Sequence, residues 1–484
     1  MGSTEKNTYL FNKGIFSLKF SLVCSVFGII VALILLPNQQ SSNNKKDEFT
    51  FKRNSNVPYN DISKAVSNYY EKNKITNFYA AVIDAGSTGT RLHLFHSIHN
   101  GTSINPTAFR IESETFLEVK PGLSAFADNP EEASLKVKIL IDKAKDTIPK
   151  HLWKNTPITL KATAGLRLLK NNKANDILKN VSDMLEKSGF ILFDNAVGIM
   201  PGINEGVYAW ITLNFLTNRV KNVLFSDKTE SLPNIEILSS AASMDLGGGS
   251  TQLTFKLNNI DSFNDEHGSI DNYTYSTNFF GDKLKLYSRS YLGNGLVASR
   301  LGVSLLHHQS QKNDLKTPCF PFDMHLETWN YGDVNWNVKG VSDSSFLKCL
   351  ELNKIYVQET TKVKKMNELE DKDIFGFSYF YDRGLQAGLV PASKKQLGGY
   401  ITVYDYKLAA EKACLMKKED LGSEHWKPWQ CHDLTYIYTL LYHGYGLQNN
   451  KRIYLAKKLR GMEMSWALGA SYDLLTTYFD KHVI

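Results

Sequence analysis

From residue 20 to residue 36 the chain runs for 17 positions without a charge. That length reaches the lower end of what a membrane-spanning helix needs, and Lys19 could snorkel to extend it. From residue 39 to about 56 the chain turns polar, rich in Asn, Ser and Lys and without periodicity, which predicts a flexible stem. Beyond it, short apolar runs predict buried strands at 79–83, 158–162, 241–244 and 374–381. Helical spacing predicts helices over 130–144, 176–187, 202–215, 434–441 and 464–479, and more weakly over 61–73. Residues 329–341, rich in Trp, Asn and Gly, predict an exposed loop.

Two of the strand runs lead into matching turns. One reads Asp84-Ala85-Gly86-Ser87-Thr88-Gly89-Thr90, the other Asp245-Leu246-Gly247-Gly248-Gly249-Ser250-Thr251, 161 residues apart. Glycine permits close approach of a ligand to the backbone, and successive N–H groups in such a turn form an anion nest. Ser87, Thr88, Ser250 and Thr251 add hydroxyls. Asp84 and Asp245 would repel bare phosphate, so their presence makes sense with a divalent cation between them, bound directly or through its water. A lone Gly-rich turn is an ordinary hairpin; two matched copies, each with its Asp, point to two related lobes sharing one cleft.

Charge and cysteines add a compartment. The net charge is +7, but no dense basic run with interleaved aromatics exists, which argues against nucleic-acid binding. Lys6, Lys13 and Lys19 precede the apolar run and place its N-terminal side in the cytosol. No small-x-small cleavage site follows, so an uncleaved signal anchor and a type II topology are expected, with a cleaved signal peptide as the alternative. Cys24 lies in the span; Cys319, Cys349, Cys414 and Cys431 remain, with three pairings open. No C-x-x-C spacing supports a zinc site. Sequons at Asn100, Asn180 and Asn272 agree with a secretory lumen.

The motifs together resemble the apyrase, or nucleoside triphosphate diphosphohydrolase (NTPDase), family. Asp84 to Arg91 resembles its first conserved region, Lys161-Ala162-Thr163-Ala164-Gly165-Leu166-Arg167-Leu168-Leu169 the second, and Gly202-Ile203-Asn204-Glu205-Gly206 onward the third. Asp245 to Gln252 resembles the fourth, and Ser465-Trp466-Ala467-Leu468-Gly469-Ala470 the fifth. Lys120-Pro121-Gly122-Leu123-Ser124 and Phe377-Ser378-Tyr379-Phe380-Tyr381-Asp382 resemble the nucleoside-diphosphatase branch, NTPDases five and six. So does a single N-terminal anchor, since the C-terminal Thr476 to His482 is polar. The four remaining cysteines resemble that branch's simpler disulfide set, expected as Cys319–Cys349 and Cys414–Cys431.

The resemblance implies a two-lobed, actin-like α/β fold, each lobe around a five-stranded type of mixed sheet. It divides the chain into a cytoplasmic tail (1–19), transmembrane anchor (20–36), stem (37–77), lobe I (78–203, regaining 465–484) and lobe II (204–464). It implies Glu205 as the base that activates water. Asp84 and Asp245 would hold hydrated Ca²⁺ or Mg²⁺, assisted by Thr163 and Gln252. Ser87, Thr88, Gly89, Gly247, Gly248, Gly249, Ser250 and Thr251 would cradle phosphates. Tyr381 and Asp382 stand where a base- or ribose-recognition loop would be, although core burial suits Tyr381 nearly as well. His432, Asp433 and Tyr436 have no role assignable from sequence. Many triphosphatase members carry His where this chain has Gly89, so diphosphates are expected to be preferred. The implied activity is hydrolysis of GDP, UDP or IDP in the secretory lumen, Golgi or another compartment, by a monomer, with secretion after cleavage conceivable. The alternative is a broader tri- and diphosphatase acting outside the cell. A kinase or exopolyphosphatase of the same fold and a non-enzymatic nucleotide-binding protein are the competing classes.

Overall fold

The run at 79–83 lies within a strand, β1 (Asn77–Ala85), whose residues from Ala80 to Ala85 are all buried, as a central strand covered on both faces requires. The computed structural model describes residues 77–99, 109–169, 172–219, 239–258, 273–279, 282–307, 313–331, 334–392 and 398–482. The expected tail, anchor and stem up to residue 76, the weak helix at 61–73, Asn100 and Asn272 lie outside them. Among the described residues no helix is long and apolar enough to cross a membrane. A first unit, Met1–Lys52, falls wholly outside them; the sheets and helices all belong to the second, Arg53–Ile484.

Around β1 a five-stranded sheet forms in the order β3-β2-β1-β4-β5, with β2 (Thr90–His99), β3 (Phe109–Val119), β4 (Ile158–Ala162) and β5 (Val197–Ile199). β1, β2 and β3 are antiparallel, whereas β4 and β5 run parallel to β1. Helices α1 (Pro130–Thr147) and α3 (Lys173–Glu186) pack on this sheet's core; α2 (Ala164–Arg167) is a single turn after β4. Asn129 caps α1 by accepting from the Glu132 amide, with Pro130 in its first turn.

A second sheet holds seven strands rather than five, in the order β14-β15-β13-β6-β7-β9-β8. They are β6 (Ala242–Leu246), β7 (Ser250–Lys256), β8 (Thr274–Phe279), β9 (Asp282–Leu292), β13 (Ile374–Ser378), β14 (Gly398–Thr402) and β15 (Arg452–Ala456). The helices around it are α5 (Leu296–His307), α6 (Phe346–Ile355), α7 (Tyr379–Gln386), α8 (Val403–Cys414) and α9 (Gln430–Thr439). Disulfides join Cys319 to Cys349 of α6, and Cys414 at the end of α8 to Cys431 at the start of α9. Both are the expected pairs.

Between the sheets run α4 (Gly202–Leu216) and α10 (Ala467–His482). Every residue of α4 from Asn204 to Leu216 is buried, the polar Asn204, Glu205, Thr212 and Asn214 included. α4 packs on β6, β7 and β9, and α10 packs on both α4 and β1. Tyr208 Oη donates to Asp473 Oδ2 at 2.9 Å, and the Gly469 amide to Thr212 Oγ1 at 2.9 Å.

Two sequence expectations fail here. The predicted loop at 329–341 is a strand pair, β11 (His325–Tyr331) and β12 (Val334–Gly340), with β10 (Asp314–Thr317) beside it. Trp329 pairs across with Trp336 and lies 4.8 Å from the Trp429 ring, so aromatic packing outweighs the turn-rich composition. The predicted strand at 374–381 ends at Ser378, whose φ of 58° turns the chain into α7.

Candidate active site

Pairing of β1 with β2, and of β6 with β7, leaves Gly86–Gly89 and Gly247–Gly249 as turns at the strand ends. The two turns meet. A methyl built on Gly248 would fall 2.4 Å from Ser87 Oγ and 3.3 Å from Thr88 Cγ2, so only glycine lets them approach this closely. The second turn's carbonyls are spent behind it. Gly247 O accepts from the Leu296 amide (2.9 Å), Gly248 O from those of Val297 and Ala298 (both 3.0 Å), and Gly249 O from Gly293 (2.9 Å). Because a trans peptide sets N–H opposite C=O, the amides of Gly248 and Gly249 point away from α5. That is the arrangement an anion nest needs.

Three carboxylates converge beside the turns. Asp84 ends β1, Asp245 lies on β6 and Glu205 lies in the first turn of α4; all are buried, at 8%, 7% and 7% exposure. Asp84 Oδ2 takes Arg91 Nη1 at 3.4 Å, Trp466 also donates to Asp84, and its Oδ1 has no partner among the described residues. Asp245 accepts from Ser378, and Glu205 Oε2 accepts from Arg167 Nη2 at 2.5 Å.

Burial raises all three carboxyls. Asp245 is pushed up to about 6, by burial and then by Asp84, with the Ser378 hydrogen bond opposing. Glu205 is pushed up to about 8, by burial and by the charges of Asp245 and Asp84, against the pull of Arg167. Asp84 rises through burial despite Arg91. Excess negative charge and an unpartnered carboxylate oxygen therefore lie together in a buried site, where carboxylates that repel one another shift upward.

The remaining expected residues are placed unevenly. Gln252 is buried; its Nε2 donates to Ser250 Oγ (2.8 Å) and Ser290 Oγ (2.9 Å), leaving Oε1 without a partner among the described residues. Thr163 is buried before α2, its amide bonded to Ala85 O at 3.2 Å, which sets it against the end of β1. Ser87 and Thr88 are half-buried at the meeting of the turns. Thr251 is fully buried and its hydroxyl donates to Asn294 O at 2.6 Å, so that hydroxyl faces the fold and not a ligand. Tyr381 is 2% exposed in the core of the second sheet, and its ring is not free to stack on a base; Asp382 is half-buried, 4.0 Å from Lys457. Asn180 sits in α3 and donates to Asp176 O.

Several residues of this site have no role legible in the sequence. Arg167 and Arg91 stand inside the quoted motifs, and a guanidinium within a run of buried groups was the available signal for carboxylate partners. Ser378 and Trp466 reach the aspartates from distant segments, which no local pattern reveals. Asp433, unassigned from sequence, accepts Arg300 Nε (2.8 Å) and Nη2 (2.6 Å) together with Arg383 Nε (2.7 Å). It thereby ties α9 to α5 and α7. Tyr436 donates to Asn294 O at 2.5 Å, behind the second turn, and His432 packs beside it.

Oxygen-only donors, an orphaned Asp84 Oδ1 and an orphaned Gln252 Oε1 fit a hard divalent cation. Among the described residues no three His, Cys, Asp or Glu form a direct cage.

Comparison with known proteins agrees with this architecture. Residues 70–483 match the GDA1/CD39 (nucleoside phosphatase) family. Nucleoside-diphosphatase uda-1 of Caenorhabditis elegans is 43% identical over 401 residues, covering 82% of this chain and 81% of that protein. Ectonucleoside triphosphate diphosphohydrolase 5 of Gallus gallus is 36% identical, covering 83% and 88%. Ectonucleoside triphosphate diphosphohydrolase 6 of Homo sapiens is 37% identical, covering 82% and 77%. Among solved structures, a nucleoside triphosphate hydrolase from Neospora caninum superposes with a TM-score of 0.58 at 13% identity, covering 87% of this chain and 97% of that one, and so shares the fold. The chain belongs to the GDA1/CD39 nucleoside phosphatase family and is an enzyme of that class.

Proposed function

We propose that this enzyme hydrolyses the terminal phosphoanhydride of nucleoside diphosphates such as GDP, UDP or IDP. The observation that carries the reading is the convergence of Asp84, Asp245 and Glu205 beside two touching Gly-rich turns. The name of the 43% identical relative, a nucleoside-diphosphatase, supports the diphosphate class. In this reading Ser87, Thr88, Gly89, Ser250 and the amides of Gly248 and Gly249 hold the phosphates. Contrary to the sequence expectation, the Gly247 amide is spent on Ser250 O at 3.0 Å, and Thr251 lies between two paired strands with its hydroxyl on Asn294 O. Asp84 and Asp245, with Thr163 and Gln252, hold Ca²⁺ or Mg²⁺ through its water. The family is in general divalent-cation dependent, and the cation would neutralise charge on the phosphate oxygens.

Glu205 takes a proton from water as the water oxygen bonds to the terminal phosphorus. The bridging P–O bond breaks and the nucleoside monophosphate leaves. Arg167 fixes the Glu205 carboxyl and favours its ionised form, the form a base needs. The two sheets correspond to the two lobes of an actin-like fold, with α4 and α10 crossing between them. An anchor at 20–36 would place the catalytic unit in the lumen of the Golgi or another secretory compartment, where it would remove the diphosphates that glycosyltransferases release.

Phosphate release from GDP, UDP, IDP, ADP and GTP, with Ca²⁺, with Mg²⁺ and with chelator, tests the reading. Cation-dependent release from diphosphates is expected. Faster release from GTP than from GDP would favour the broader phosphatase instead.

A further inference from the structure

Both guanidinium groups that reach the carboxylates of the cleft are committed to them. Arg167 is held by Glu205. Arg91 gives Nη1 to Asp84 and Nη2 to Glu118 Oε1, the latter at 2.9 Å. Glu118 is the register partner of Arg91 on β3, and Lys120 Nζ lies 3.4 Å from its other oxygen. The Glu118 carboxylate also leans over the first turn. A methyl placed on Gly89 would lie 2.6 Å from Glu118 Oε1, 3.2 Å from its Cδ and 3.3 Å from its Cγ. Gly89 and Glu118 thus claim one space, and the carboxylate occupies it. Its side chain is 26% exposed, so the charge is ordered by two cations yet reaches the surface of the turn.

A fixed negative charge against a phosphate turn has a chemical consequence. It repels each further phosphate brought to that end, and it engages Arg91 and Lys120, on which a longer anionic chain would otherwise draw. We propose that Glu118 is a specificity-determining residue that limits the ligand to two phosphates by like-charge repulsion, an inference that rests on the diphosphatase reading. Selectivity then comes from a repulsive element as well as from a missing contact at Gly89.

The test compares kcat/KM for GTP and GDP, in the full-length protein with Mg²⁺, for the wild type, Glu118→Gln and Glu118→Asp. Glutamine keeps an acceptor for Arg91 and removes the charge. The GTP-to-GDP ratio is expected to rise about tenfold or more in Glu118→Gln, mainly through a lower KM for GTP, and to stay near wild type in Glu118→Asp. Added salt should raise the wild-type ratio through screening. This salt series keeps the proposal testable even if the glutamine variant misfolds. An unmoved or lowered ratio in folded Glu118→Gln, or a wild-type ratio indifferent to salt, overturns the proposal while leaving diphosphate hydrolysis intact. If the wild type releases no phosphate from diphosphates, the functional reading itself falls, and this inference with it.

Discussion

Glu205 concentrates the chemistry at the scale of single residues. Position in the first turn of a helix is an ordinary place for a carboxylate, where it complements the helix dipole. What sets Glu205 apart is 7% exposure, a 2.5 Å bond to Arg167 and two aspartates close enough to push its carboxyl up. Glu205→Gln should lower turnover by roughly 10²- to 10⁴-fold, the contribution of a general base. Calorimetric binding of a non-hydrolysable diphosphate analogue should persist in that variant. Loss of binding in parallel with turnover would make the residue a structural one. The motif containing Glu205 was legible in sequence because its neighbours are diagnostic. Arg167, in a different motif along the chain but in contact in space, was not.

At the scale of elements, the strands were legible wherever burial is two-sided, as in β1, β4 and β6, since such runs are dominated by apolar residues. The β11–β12 pair was not, because its apolar residues are large aromatics separated by Asn and Gly. The end of β13 was hidden because an apolar run crosses from strand into helix at Ser378. That residue adopts φ 58° and ψ −125°, a conformation costing a non-glycine residue about 1–3 kcal/mol, and its side chain reaches Asp245. Ser378→Gly and Ser378→Ala both remove the hydroxyl, but only glycine relieves the backbone. The glycine variant should be the more stable of the two by about 1–3 kcal/mol in denaturant unfolding, while both lose activity. Equal stabilities would show that no strain is stored there. Elsewhere, burial would lift the Asp433 carboxyl, but Arg300 and Arg383 overcome that and hold it well below the usual range. Asp433→Ala strands two buried guanidinium groups, and about 3–5 kcal/mol of stability should be lost on chemical denaturation.

At the scale of the whole molecule, the buried carboxylates link stability to pH. Asp245 and Glu205 hold protons more tightly folded than unfolded, with carboxyls raised from 3.8 to about 6 and from 4.5 to about 8. Their contribution is therefore complete below the unfolded values and is lost as pH climbs through the folded ones. In chelator, the melting temperature should fall between about pH 5 and pH 8. Glu205→Gln should flatten the upper part of that fall, and a bound divalent cation should flatten it further by stabilising the ionised forms. A chelated wild type whose melting temperature rises across that range would contradict the assignment. The role of the cleft turns on where a substrate's phosphates lie. The most direct measurement is a crystal structure with Ca²⁺ and a nucleoside diphosphate analogue bearing a methylene in place of the bridging oxygen. The expected result is a terminal phosphate gripped between Gly86–Gly89 and Gly247–Gly249, with a water between its phosphorus and Glu205. A phosphate tail bound away from both turns, or a Glu205 carboxyl out of reach of any water facing the phosphorus, would contradict it.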